Sequence, residues 1–73
     1  MTTRDVALAT GISLQTIYRH LSTGDLDGEW TGTRWYIPAT EAYSWSCWMW
    51  KQGRCSMYPP ERVQNYIADF RLN

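Results

Sequence analysis

Apolar residues in the first third of the chain recur at helical rather than strand spacing. Val6, Ala9 and Thr10 make a small inward face on a segment that starts at Thr2 or Thr3. Thr2 and Asp5 stand at capping-box spacing, where each side chain serves the other's orphan amide. Gly11 is expected to end this helix, since glycine takes the left-handed C′ conformation without strain. The small face permits close approach of a second helix. That helix begins at Ser13, a good N-cap, and runs to about Thr23, before Gly24 stops it. On a helical wheel Ile17, Leu21, Leu14 and Tyr18 share one arc of about 100°. Ser22, Gln15, Arg19, Thr23, Thr16 and His20 fill the other side, with His20 at its edge as a surface residue. The pattern predicts a buried face cleanly separated from a polar one.

Leu26 follows a Gly24-Asp25 turn and is expected to return to the core. Glu29-Trp30 and Arg34 to Ile37 read as two short strands around a tip of Thr31-Gly32-Thr33, with Gly32 supplying a positive φ. Pro38 stops the second strand and prepares a helix start. A third helix spans roughly Thr40 to Lys51. Ala42, Trp45 and Met49 line one face of it, extended by Trp48, while Tyr43, Cys47 and Trp50 line another. A helix apolar on two faces must be covered twice or expose a sticky patch. Lys51-Gln52-Gly53-Arg54 breaks it. Pro59-Pro60-Glu61 opens a fourth helix, with proline at N1 and an acid in the first turn. Its Val63, Tyr66, Ile67 and Phe70 recur at i, i+3, i+4 and i+7, a stripe suited to cover the third helix. The expected fold is mainly α: a helix-turn-helix with a two-stranded β-hairpin wing and an extra C-terminal helix. Residues 1–52 form the winged unit. Residues 53–73 form a linker and an amphipathic helix that packs on the same domain or on a partner.

Seventy-three residues make one domain at most, and a chain this short buries little apolar surface. Five Trp and five Tyr compensate, because each large ring buries much area. Seven basic residues balance seven acidic ones, so the net charge is zero. Within residues 1–38, Arg4, Arg19 and Arg34 face Asp5, Asp25, Asp27 and Glu29. Any positive patch is therefore local. The polar face of the second helix carries Gln, Arg, Thr and Ser, the side chains that read base edges. With about four phosphate contacts the salt slope of DNA binding would be near −3.6, and a fourfold rise in salt would cost roughly two decades of affinity. A monomer is expected to bind weakly, with cooperativity or a partner supplying the rest.

These residues resemble the winged-helix DNA-binding domains of the excisionase and MerR type. The resemblance covers roughly residues 1–46. It rests on Thr2 and Asp5, Gly11-Ile12-Ser13, Thr16-Ile17-Tyr18-Arg19, Gly24-Asp25-Leu26 and Gly32-Thr33-Arg34-Trp35-Tyr36-Ile37-Pro38. It implies that the second helix enters the major groove and the wing lies over the adjacent minor groove. By position, Gln15, Thr16 and Arg19 would face bases or nearby phosphates, Ser13 and Tyr18 would hold the backbone, and Thr33 and Arg34 would be the wing contacts. Leu14, Thr33 and Tyr36 stand where basic residues are common in such domains. Small members include phage recombination directionality factors, which bind repeated sites side by side, bend DNA and direct integrase toward excision.

Each candidate also has a plainer reading. Arg19 is either a bidentate guanine reader or a solvated arginine, and Gln15 suits adenine but is also a good helix former. Arg34 reads as a minor-groove or phosphate contact. Trp35 reads as core under the wing, and Trp30 as a partly exposed packing residue. Cys47, Cys55 and His20 lack the paired spacing and ligand number of a zinc site, so two reduced thiols are expected. No nucleophile motif, phosphate cradle or carboxylate pair suggests catalysis, and no cofactor or small-molecule ligand is implied. The absence of a signal peptide or long apolar run suggests a cytoplasmic protein of a bacterial host cell. Tyr43, Trp50, Tyr66 and Phe70 are candidates for a partner surface.

The leading expectation is an excisionase-like accessory protein that binds double-stranded DNA, with integrase or further copies of itself as partners. A small phage or bacterial transcriptional regulator is the alternative, since the fold serves both. A third reading, of a different class, is a winged-helix protein-interaction module that no longer binds DNA.

Overall fold

The computed structural model describes residues 1–53 and 56–72, with the side chains of residues 71 and 72 excepted. The expected roles of Arg54 in breaking the third helix and of Cys55 as a reduced thiol lie outside the described residues. Helix α1 spans Thr3–Thr10 and α2 spans Leu14–Thr23. Strands β1 (Glu29–Trp30) and β2 (Trp35–Tyr36) follow, then α3 (Ala39–Gln52) and α4 (Pro60–Leu72). The architecture is mainly helical with one antiparallel hairpin: a winged helix-turn-helix followed by a C-terminal helix.

The local signals explain the element boundaries. Thr2 Oγ1 accepts from the Asp5 amide at 3.2 Å, and the Thr2 amide donates to Asp5 Oδ2 at 2.9 Å, which completes the capping box. Gly11 closes α1 at φ 76°, and its amide donates to the Ala7 carbonyl. Ser13 Oγ caps α2 by accepting from the Thr16 amide, and Gly24 ends it at φ 87°. The hairpin pairs Glu29 with Tyr36 and Trp30 with Trp35. Ile37 continues beyond it and exchanges two backbone hydrogen bonds with Met1, at 2.7 and 2.8 Å. This ties the start of the chain to the root of the wing.

One core joins all four helices. Val6 and Ala9 of α1, Ile17 and Leu21 of α2, Ala42, Trp45 and Met49 of α3, and Val63 and Ile67 of α4 are buried together. Leu26 and Ile37 plug it from the loop and the wing root. Among the described residues two polar ones, Thr10 and Ser46, are fully buried, and both are satisfied. Thr10 Oγ1 donates to the Val6 carbonyl and accepts from the Ile12 amide. Ser46 Oγ donates to the Tyr43 carbonyl. The Tyr58 amide donates to the Thr10 carbonyl at 2.8 Å, so the segment before α4 closes over the turn between α1 and α2. The ring of Tyr58 lies against Gly11. The α4 stripe thus packs against its own chain through Val63 and Ile67, while Phe70 stays exposed.

Two expectations need correction. Leu14 and Tyr18 are 42% and 46% exposed, so only Ile17 and Leu21 of the predicted arc are buried. His20 is not a surface residue: its side chain is 12% exposed, set edge-on between Trp45 and Trp48. The second apolar face of α3 is covered incompletely. Tyr43 and Cys47 are half-buried, but Trp50 is exposed, as is Trp48.

Candidate nucleic-acid interface

Helix α2 presents the candidate reading residues. Gln15 and Arg19 lie four apart, hence on one exposed face. Among the described residues neither Arg19 nor Arg34 has an acidic partner within salt-bridge distance, which leaves both guanidinium groups available. Other polar groups on the helix are engaged. Ser13 Oγ donates to Thr16 Oγ1 at 3.0 Å while it caps the Thr16 amide. Tyr18 Oη lies 3.2 Å from Thr3 Oγ1, a hydrogen bond that braces α2 against the first turn of α1. Ser13 and Thr16 therefore shape the helix start, whereas Gln15 and Arg19 carry the unengaged polar ends.

The far end of α2 is locked to α3. Trp45 Nε1 donates to His20 Nδ1 at 3.4 Å, and Asp25 Oδ2 lies 3.6 Å from the same nitrogen. The His20 carbonyl accepts from the Leu26 amide, and Thr23 Oγ1 also donates to it. Sequence distance hides this clamp, because His20 and Trp45 are 25 residues apart. The one local hint is Asp25, five residues beyond His20.

The wing tip is held by Thr31. Its amide and hydroxyl donate to the Arg34 carbonyl at 2.9 and 3.0 Å, and the Arg34 amide points back at Thr31 Oγ1. Gly32 has φ 98° between them. Thr33 and Arg34 are exposed on this fixed tip. Trp30 and Trp35 meet edge to face across the strands, with centroids 5.7 Å apart. Trp35 packs on the core, whereas Trp30 is 58% exposed.

Charge is unevenly distributed, which qualifies the zero total. Asp25, Asp27, Glu29 and Glu41 line two adjoining depressions together with Tyr36, Trp45 and Trp48. Arg19 and Arg34 belong to neither. Of the candidate partner residues, Tyr43 and Phe70 border neighbouring grooves that share Ala39 and Thr40. Trp50 sits two turns further along α3, and Tyr66 is half-buried against the core. The Cys47 thiol, one turn along α3, raises the pKa of the Tyr43 phenol above its ordinary value.

The short capped helix, the tight glycine turn, the second helix with an exposed polar face and the following hairpin define a winged helix-turn-helix. Residues 1–41 match the family described as a helix-turn-helix domain, and the chain belongs to that family, which includes excisionase-like DNA-binding domains. No curated protein and no solved structure matches the chain significantly. The family assignment supports DNA as a partner. Among the described residues no helix is long and apolar enough to cross a membrane, and no three His, Cys, Asp or Glu side chains converge as a metal site.

Proposed function

We propose that the chain is an excisionase-like DNA-binding accessory protein of a phage or mobile element. Helix α2 lies in the major groove, with Gln15, Thr16 and Arg19 toward bases or adjacent phosphates. Ser13 and Tyr18 hold the backbone beside the helix start, and Thr33 and Arg34 of the wing meet the neighbouring minor groove. The observation that carries this reading is the pairing of Gln15 and Arg19 on one exposed helix face with an Arg34 held on a fixed tip. Few basic groups are available, so a single copy binds weakly and neighbouring copies or an integrase strengthen the complex. Tyr43, Trp50, Tyr66 and Phe70 are the proposed partner surface.

Footprinting on the element's attachment region, run beside an in vitro excision reaction, tests the proposal. Protection of repeated sites with stimulated excision is expected. Protection of a promoter with no effect on excision would favour a transcriptional regulator. Failure to bind any duplex at low salt, with function insensitive to Arg19→Ala and Arg34→Ala, would favour a protein-interaction module.

A further inference from the structure

We propose that Leu14 is a specificity-determining residue that reads the 5-methyl group of thymine. The inference rests on the major-groove placement of α2 proposed above. Leu14 is the first residue of α2, immediately after the Ser13 cap, and it is 42% exposed. Side chains on a helix lean toward its N-terminus, so a residue in the first turn reaches past the end of the helix. In helix-turn-helix docking the N-terminal residues of the recognition helix are the ones that meet base edges.

The polar neighbours of Leu14 are less free than they look. Ser13 Oγ and Thr16 Oγ1 bond each other and the helix start, and Tyr18 Oη is paired with Thr3 Oγ1. The groups left open at the tip are the Gln15 amide and the isobutyl group of Leu14. Leucine offers no hydrogen bond and no charge, so it gains nothing from phosphates or from the polar base edges. The apolar feature that a base pair shows in the major groove is the thymine C5-methyl. Gln15, the next residue, has the bidentate geometry for adenine N6 and N7. The pair Leu14-Gln15 therefore favours a step containing both thymine and adenine. Arg19, one turn beyond Gln15 on the same face, reads a guanine or a phosphate.

The test begins by enriching duplexes from a random-sequence library with the full chain. Thymines in the recovered duplex are then replaced one at a time by deoxyuridine, which removes the methyl and keeps the hydrogen-bonding edge. One replacement is expected to weaken wild-type binding about three- to fivefold, the worth of one buried methyl-sized group. Leu14→Ala should bind the thymine duplex that much more weakly and no longer distinguish thymine from uracil at that position. Leu14 is exposed, so the variant should melt with the wild type, which circular dichroism checks. Persistent tight binding with no effect of any uracil, or continued discrimination by Leu14→Ala, overturns the inference while leaving DNA binding intact. Failure to enrich any duplex overturns the DNA-binding proposal itself, and this inference with it.

Discussion

Gly11→Ala probes the turn that sets α2 against α1 and the segment that covers it. Gly11 has φ 76°, where an L-residue with a Cβ is strained by about 1–2 kcal/mol. Alanine also lowers the entropy of the unfolded chain, which offsets about 0.4–1 kcal/mol. A second contribution comes from space. A Cβ at Gly11 would lie 3.3 Å from Tyr58 Cε2 and Cζ. The Tyr58 ring is not free to retreat, because the Arg62 guanidinium stacks 3.7 Å from its centroid and the Tyr58 amide is bonded to Thr10. Displacing it costs about 1 kcal/mol, the low end for overpacking. The net loss is about 2 kcal/mol, a fall in Tm of roughly 8–16 °C for a domain of this size. Urea unfolding followed by tryptophan fluorescence measures it. A double-mutant cycle with Tyr58→Ala separates the parts: in that background Gly11→Ala should cost about 1 kcal/mol less. A loss below about 0.5 kcal/mol would contradict a strained turn packed against Tyr58, and an unchanged loss without Tyr58 would refute the contact.

Thr2→Ala removes one half of the capping box and should destabilise the fold by about 1 kcal/mol in thermal unfolding, more than Thr40→Ala at an exposed α3 site. His20→Phe keeps an aromatic ring beside Trp45 and Trp48 but leaves the indole N–H without its acceptor, so a loss of about 1–3 kcal/mol is expected in the same assay. Ile17→Ala, at a fully buried position of α2, should cost about 2–5 kcal/mol and leave circular dichroism with a strongly lowered melting temperature.

Local chemistry made the helical frame legible. Thr2, Gly11, Ser13 and Gly24 each act at a helix end through short-range rules, and each sits where those rules place it. The hairpin was readable from Gly32 and from Pro38, which stops β2 and leads into α3. Packing was harder to read. A helical wheel shows an apolar arc on α2 but not which neighbour covers which flank. Helix α1 offers only the small face of Val6, Ala9 and Thr10, so Leu14 and Tyr18 remain open. On the opposite flank Trp45 reaches across from α3 and draws in His20, a polar residue that the wheel assigns to solvent. The candidate reading face is thus partly legible: Gln15 and Arg19 follow from the pattern. The pairing of Tyr18 with Thr3, and the exposure of Leu14, depend on contacts that only the folded chain contains.

The most direct test of the central claim is the salt dependence of duplex binding, measured by fluorescence anisotropy for wild type and for Arg19→Ala/Arg34→Ala. Modest affinity with a log–log slope of about −3.6 is predicted for the wild type. The double variant should bind more weakly, with a slope shallower by about 1.8, because each lost phosphate contact removes about 0.9. Equal affinity and equal slope for the two proteins would contradict the assignment of α2 and the wing as the DNA-binding surface.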